Sequence, residues 1–202
     1  MNKKGQIGLV LGVIALVIVL CIAIVAGMYN GLVNADETVK NKWGNVQTAY
    51  QRRADLIPNL VDTVKGYKNY EQETLTKITE LRSQAGQAQK DVKSAKTTAE
   101  IDAAGSEMSS VMSRLLVIVE AYPDLKASQN FLSLQDELSG TESRIKYERD
   151  NYNEAVKAYG VKTRSFPTNI LAGMFGFNSD RYKMFEAAAG AEKAPKVTFE
   201  DE

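Results

Sequence analysis

Three ionisable residues, Arg53, Glu142 and Glu148, lie on or beside rows of apolar residues that are typical of buried helix faces. A pair of carboxylates inside a helical bundle could act as acid and base or could bind metal ions. Di-metal bundles, however, combine glutamate with histidine in a Glu-x-x-His motif, and the chain of 202 residues contains no histidine. We therefore predict no catalytic residue, no metal site and no cofactor.

Arg53 occupies a core position in the first helical repeat, where an unpaired guanidinium would cost several kcal/mol. It lies 17 residues after the predicted start of its helix, and Glu142 lies 17 residues before Tyr159, the last apolar position of the last helix. In an antiparallel pair the two residues stand at the same height. We predict a structural Arg53–Glu142 ion pair, with Glu148 or Asp55 as further partners. These charges either fix the helix register or form a polar pocket for a ligand or partner.

Other kinds of chemistry find little support in the sequence. It contains neither a GxxxxGK phosphate loop nor a GxGxxG dinucleotide motif. The single cysteine, Cys21, lies in an apolar run, which excludes a disulfide within the chain and CxxC sites. With 25 basic and 25 acidic residues, the chain lacks the positive charge of a nucleic-acid-binding protein.

The apolar run from Ile7 to Met28 has 22 residues without a charge and would span about 33 Å as a helix, close to the bilayer hydrocarbon thickness of about 30 Å. A removable signal peptide is the alternative, but its apolar region is shorter, about 7–15 residues, and ends in a small-x-small site. A prepilin-type site at residues 3–6 is a second alternative, and cleavage there would keep the anchor. We predict a single-pass membrane anchor over residues 1–31.

The charges that flank this segment indicate its orientation. Lys3 and Lys4 precede it within a short N-terminal stretch, and basic residues favour the cytoplasmic side. We therefore expect the soluble domain outside the cytoplasm, at the cell membrane.

After the anchor, apolar residues recur at alternating gaps of three and four, which is typical of amphipathic helices. The pattern predicts an all-α fold, with an antiparallel up-and-down four-helix bundle over residues 32–160 whose first and fourth helices are long. The apolar rhythm passes through Pro58 without slipping, so we predict one kinked helix from Asp36 to Tyr67; a break at the proline is the alternative. Thr97 and Glu100 form a capping-box pattern, and the last helix is predicted to end at Gly160.

Residues 161–189 form an apolar segment that should lie at the membrane end of the bundle, because an up-and-down fold returns the chain to its start. The apolar residues that we expect at an interface are Phe166, Ile170, Leu171, Met174, Phe175 and Phe177. The segment contacts the bilayer surface, caps the base of the bundle, or packs against a neighbouring protomer. Residues 190–202 read as an acidic tail.

Several motifs resemble those of the LemA family. They are RRADLIPNLV at 52–61, Tyr122-Pro123, Thr141-Glu142, Arg149, Tyr152-Asn153 and Phe166-Pro167. The resemblance covers residues 29–199 and implies an N-terminally anchored, all-helical membrane protein without an established enzymatic activity. Some members are linked to internal membrane compartments, and others are encoded beside membrane proteases.

The leading functional hypothesis is a non-enzymatic scaffold that self-associates laterally and shapes or organises the membrane. Gly5, Gly8 and Gly12 would permit close contact between neighbouring spans. The expected partners are the lipid bilayer and further copies of the chain, with no nucleic acid. The alternative is an adaptor or sensor that presents substrates or signals to a membrane protease or receptor.

Overall fold

The computed structural model describes the backbone of residues 3–67 and 70–186, and over these residues the chain is all-helical and has no strand. The α-helices are α1 (Lys3–Lys65), α2 (Gln72–Ser94), α3 (Thr98–Glu120), α4 (Pro123–Lys126), α5 (Gln129–Arg164) and α6 (Thr168–Phe175). A 3-10 turn, Ser179–Arg181, follows. The predicted acidic tail, residues 190–202, lies outside the described residues. The predicted all-α fold class is confirmed.

The first helix is longer than the sequence pattern predicted. α1 runs without interruption for 63 residues and contains Pro58, so the prediction of one helix through the proline is confirmed. The predicted boundary between anchor and bundle at residue 31 stays a prediction, and α1 continues through it without a break. Between Met28 and Asp36 the weakest helix former is Gly31, which costs about 1 kcal/mol, and the fully buried Leu32 follows it directly. At 1.5 Å per residue, α1 is about 95 Å long.

The long helices alternate in direction along the chain. Antiparallel pairing of α5 with α1 follows from two contacts, Trp43 with Tyr152 (ring centroids 5.5 Å apart) and Tyr50 with Arg149. α2 also runs antiparallel to α1. In the α1–α2 pair, Asp62 bonds Arg82 and Asp55 bonds Gln89. α3 runs parallel to α1, as shown by the pairs Tyr50–Asp102 and Arg53–Ser109.

The predicted apolar stripe of α1 supplies the centre of the core. Its fully buried members are Val39, Val46, Ile57, Leu60 and Val64. α1 packs against α2, α3 and α5, and α2 packs against α3, whereas α3 and α5 leave a groove between them. A closed four-helix bundle therefore stays a prediction, although the order and directions of the helices agree with one.

Two local predictions about helix ends have different outcomes. The capping box is confirmed, because Thr97 Oγ1 accepts from the Glu100 amide at 3.2 Å and the Glu100 carboxylate accepts from the Thr97 amide at 3.3 Å. The predicted end of the last helix at Gly160 is wrong, because α5 continues to Arg164. Thr163, one turn further on, is buried. Burial therefore continues past the glycine and outweighs its helix cost of about 1 kcal/mol.

The chain turns back after α6. Gly176 has φ +76°, a left-handed conformation that suits glycine and ends helices. Residues 176–186, which we name the C-terminal hook, then run along α1 and α5 toward Trp43, against which the buried Phe185 stacks. α6 and the hook both lie within residues 161–189, the range of the predicted apolar segment.

Candidate functional site

The groove between α3 and α5 contains a polar network that joins three helices. Tyr50 on α1 donates to Asp102 on α3 at 2.9 Å, and Arg149 on α5 holds the same carboxylate through two contacts, at 3.0 and 3.2 Å. Burial, with the neighbouring Asp102 carboxylate, raises the pKa of Tyr50 to about 12. The phenol therefore stays protonated and donates to Asp102. The fork of Arg149 on Asp102 is the bidentate geometry that makes an ion pair strong.

The hook closes one end of this groove. Asn153 accepts from the Phe185 amide at 2.8 Å and donates to the Phe185 carbonyl at 3.1 Å. The guanidinium of Arg149 lies 4.5 Å from the centre of the Phe185 ring, a cation–π contact. The groove, about 710 Å³ in volume, is therefore lined by α1, α3, α5 and the hook.

Arg53 and Glu142 lie in this groove at the same height, as their positions in the sequence predicted. The predicted ion pair between them does not form. Arg53 is half-buried and donates to Ser109 Oγ at 3.1 Å, and no ion pair joins it to a carboxylate of the described residues. Glu142 is exposed on the α5 side. Asp55 accepts from Gln51 and Gln89 instead, because it faces α2.

Glu148 is buried on a different side of α5, in a cavity of about 510 Å³ between α5 and α1, which we name the Glu148 cavity. Its side chain is 2% exposed; one oxygen accepts from Arg144 at 2.7 Å, and the other has no hydrogen-bond partner. Arg52 and Glu137 also line the cavity. The predicted contact of Glu148 with Arg53 is wrong, because the partner of Glu148 is Arg144, one turn away on α5.

Two variants at the Glu148 cavity should change the stability of the protein in opposite directions. Arg144→Ala should destabilise the protein by about 1–3 kcal/mol, because it leaves a buried carboxylate unpaired. Glu148→Met removes the charge and keeps the volume, so it should be neutral or stabilising by about 1 kcal/mol. Urea unfolding of the full chain in detergent measures both. Equal losses for both variants would contradict an unsatisfied carboxylate.

A second ionic cluster fixes the hook to α1. Asp36 is 5% exposed and accepts from Tyr182 at 2.9 Å, with Lys40 at 2.8 Å and Arg181 at 3.3 Å. Burial alone would raise the pKa of Asp36, but the hydrogen bonds from Lys40 and Tyr182 and the charge of Arg181 outweigh it and lower the pKa. The ionised carboxylate is therefore the form that holds the hook.

The six apolar residues predicted at an interface differ in how much of their surface the protein covers. Phe175 and Phe177 contact Tyr29, with ring centroids 4.9 and 6.0 Å apart. The large side chains of Phe166, Ile170 and Met174 are exposed. Leu171 is half-buried. Phe175 contacts Tyr29 on one side, and half of its surface stays exposed.

Sequence reasoning missed the residues that join the helices through polar contacts. In the sequence pattern Asp36 marks only the start of a helix, and Asp102 belongs to no predicted site. One signal was available: Asp102 and Arg149 each directly follow a predicted core position, Ile101 and Glu148. Residues next to a core position lie at the edge of the contact between two helices, where charged side chains of neighbouring helices meet.

The described residues form a helical domain that is continuous with an apolar N-terminal span. The model of the LemA family matches residues 42–199. The chain belongs to the LemA family. The match includes α2, α3, α5, α6 and the hook, so the grooves beside α5 lie within the part shared with other LemA proteins.

Curated relatives support the assignment. Protein LemA of Metamycoplasma hominis is 33% identical over 72% of this chain, and the match covers 64% of that protein, slightly less than two thirds. Magnetosome protein MamQ 2 of Paramagnetospirillum magneticum and magnetosome protein MamQ of Magnetospirillum gryphiswaldense are each 23% identical over 89% of this chain and 73% of their own length. None of these names denotes an enzyme.

Within the described residues, one helix, α1, is long and apolar enough to cross a membrane. Its apolar part is not covered by other parts of the protein, and large side chains such as Leu16 and Ile22 are exposed along it. An uncovered apolar helix of this length is what a single-pass anchor requires, and LemA family membership is consistent with an association with membranes.

Proposed function

We propose that this LemA-family protein is a non-enzymatic scaffold, anchored in the membrane by α1, that associates with further copies of itself in the membrane plane. The observation that carries this proposal is the continuity of α1 from the apolar span into the core of the helical domain. A domain joined by a flexible linker could tilt and rotate freely. A domain built on the same helix as its anchor follows the orientation of the anchor, so ordered contacts between spans would order the domains as well.

The surface of the span supports lateral contact. Gly12 would place a Cβ with no heavy atom within 4 Å, so its backbone is open to a neighbouring helix, as in small-residue interfaces of membrane helices. Gly5 and Gly8 continue this pattern in the sequence, although their surroundings lie outside the described side chains. We place the up-and-down helical domain outside the cytoplasm, since Lys3 and Lys4 flank the span on its short side.

Energy transfer between labelled copies in liposomes tests self-association. The variant Cys21→Ser with Asp136→Cys carries one label at an exposed position of α5. We expect transfer between donor- and acceptor-labelled chains that persists when the lipid-to-protein ratio is raised about tenfold. Excess unlabelled chain should abolish the transfer, because it replaces labelled neighbours. Transfer that falls in step with surface density would show only random proximity and would contradict the scaffold.

The open groove between α3 and α5 favours a second candidate, an adaptor for a membrane protease or receptor. The groove is lined by cationic and anionic side chains, among them Arg53, Glu142 and Lys146. Such a surface suits a polar peptide better than a second apolar helix. A chain that is monomeric in liposomes would favour this role over the scaffold.

A further inference from the structure

The segment that begins at Phe166 exposes an apolar surface that no part of the described chain covers. Phe166, Ile170 and Met174 recur every four residues and are 81%, 57% and 74% exposed. No charged residue occurs from Phe166 to Phe177. On its other side α6 is attached to the protein, because Ala172 is 2% exposed and the helix packs against α1 and α5.

The position of α6 along α1 coincides with the end of the span. Phe175 and Phe177 pack edge-on against Tyr29, and Tyr29 directly follows the apolar run Ile7–Met28. Aromatic residues of this kind gather where the hydrocarbon of a bilayer meets its headgroups. The exposed apolar side chains therefore stand at the level at which the span leaves the bilayer.

Charge around the segment suits the same location. Residues 161–186 carry four basic and two acidic side chains. The ammonium group of Lys162 reaches Gly31 on α1, three residues past the apolar run Ile7–Met28, and Arg164 is exposed at the end of α5. Basic side chains at this depth can reach anionic headgroups while their stems stay in apolar surroundings.

We propose that the face formed by Phe166, Ile170 and Met174 lies in the interfacial layer of the bilayer that holds the α1 span. This face is not the cap of the helical domain, because the residues that cover its core at this end, Tyr182 and Phe185, belong to the hook. The proposal requires that α1 crosses the membrane but does not require self-association. Two points of attachment, the span and α6, fix the rotation and tilt of the 63-residue helix relative to the bilayer.

Depth-dependent fluorescence quenching of the full chain in vesicles of phosphatidylcholine and phosphatidylglycerol tests the proposal. The only native tryptophan, Trp43, is replaced by phenylalanine, and Met174→Trp introduces the probe. We expect the emission of Met174→Trp to be blue-shifted. Lipids brominated near the headgroup should quench most of this emission, and lipids brominated deep in their acyl chains should quench less of it. Tyr147→Trp, an exposed aromatic position on α5, is the matched control and should be quenched by aqueous acrylamide alone.

A third probe separates this proposal from the anchor itself. Leu16→Trp lies in the middle of the apolar run Ile7–Met28 and should be quenched by the deeply brominated lipids. If Leu16→Trp is quenched in this way while Met174→Trp behaves like Tyr147→Trp, the α6 proposal is overturned and the anchor stands. If Met174→Trp is protected from both bromines and acrylamide, the face is covered by protein, and the proposal is also overturned. Should Trp43→Phe lose helicity, an environment-sensitive dye on Met174→Cys in the Cys21→Ser chain gives the same readout.

Discussion

Replacing Gly105 by alanine should destabilise the protein by about 1–2 kcal/mol. A Cβ at this position of α3 would lie 2.6 Å from Cε1 of Tyr50, well inside van der Waals contact. The ring cannot easily move away, because Tyr50 is 3% exposed and its hydroxyl is held by Asp102. Overpacking of this kind costs about 1–3 kcal/mol, and the better helix propensity of alanine returns up to about 1 kcal/mol.

Gly86→Ala is the matched control for this variant. Gly86 also lies inside a helix of 23 residues, α2, but a Cβ there would meet nothing within 4 Å. The control should therefore gain up to about 1 kcal/mol from helix propensity alone. Urea unfolding of both full-length variants in detergent, followed by helical circular dichroism, should move the two midpoints in opposite directions. A midpoint for Gly105→Ala at or above that of the parent would show that α1 and α3 are not in close contact there.

The helices of this protein could be predicted from the sequence because their signal is local and repeated. The spacing of Val46, Ile57 and Leu60 carries the phase of α1 through Pro58, and the structure buries all three. The length of α1 was underestimated for the same reason. A change from an all-apolar surface to an amphipathic one near Met28 looks like a boundary between domains, although the backbone has no residue there that would end a helix.

The polar site could be predicted only in part. Helix direction and residue spacing were enough to predict that Arg53 and Glu142 lie at the same height, since height along a helix depends only on the rise per residue. Whether two side chains meet depends also on the rotation of each helix and on competing partners. Ser109, on a third helix, takes the guanidinium of Arg53, and the periodicity of two helices contains no information about the third.

The hook could not be predicted from local patterns. It is held by pairs that are far apart in sequence, such as Tyr182 with Asp36 and Phe185 with Asn153. None of these residues lies in a periodic pattern that extends to its partner. Their pairing becomes visible only once α5 has been placed beside α1.

Removal of the Asp36 carboxylate should release the hook. Asp36→Ala is expected to cost about 3 kcal/mol, because it removes the acceptor of Tyr182 and leaves Arg181 without its carboxylate. Trypsin should then cleave after Arg181 and Lys183 faster than in the parent chain. Glu37→Ala is the control: this exposed neighbour contacts Lys40 but not the hook, so it should change stability by less than about 0.5 kcal/mol.

The same cluster predicts how stability depends on pH. The pKa of Asp36 is lowered in the folded protein, so the unfolded chain binds the proton more readily. Its stabilisation is therefore complete above the ordinary carboxylate pKa of about 4 and is lost as the pH falls below that value. We expect the stability difference between the parent and Asp36→Ala to be constant from about pH 5 to 7 and to shrink below about pH 4, while Glu37→Ala follows the parent throughout. A difference that stays constant down to about pH 2 would show that Asp36 stabilises the hook without its charge, since protonation would then remove nothing.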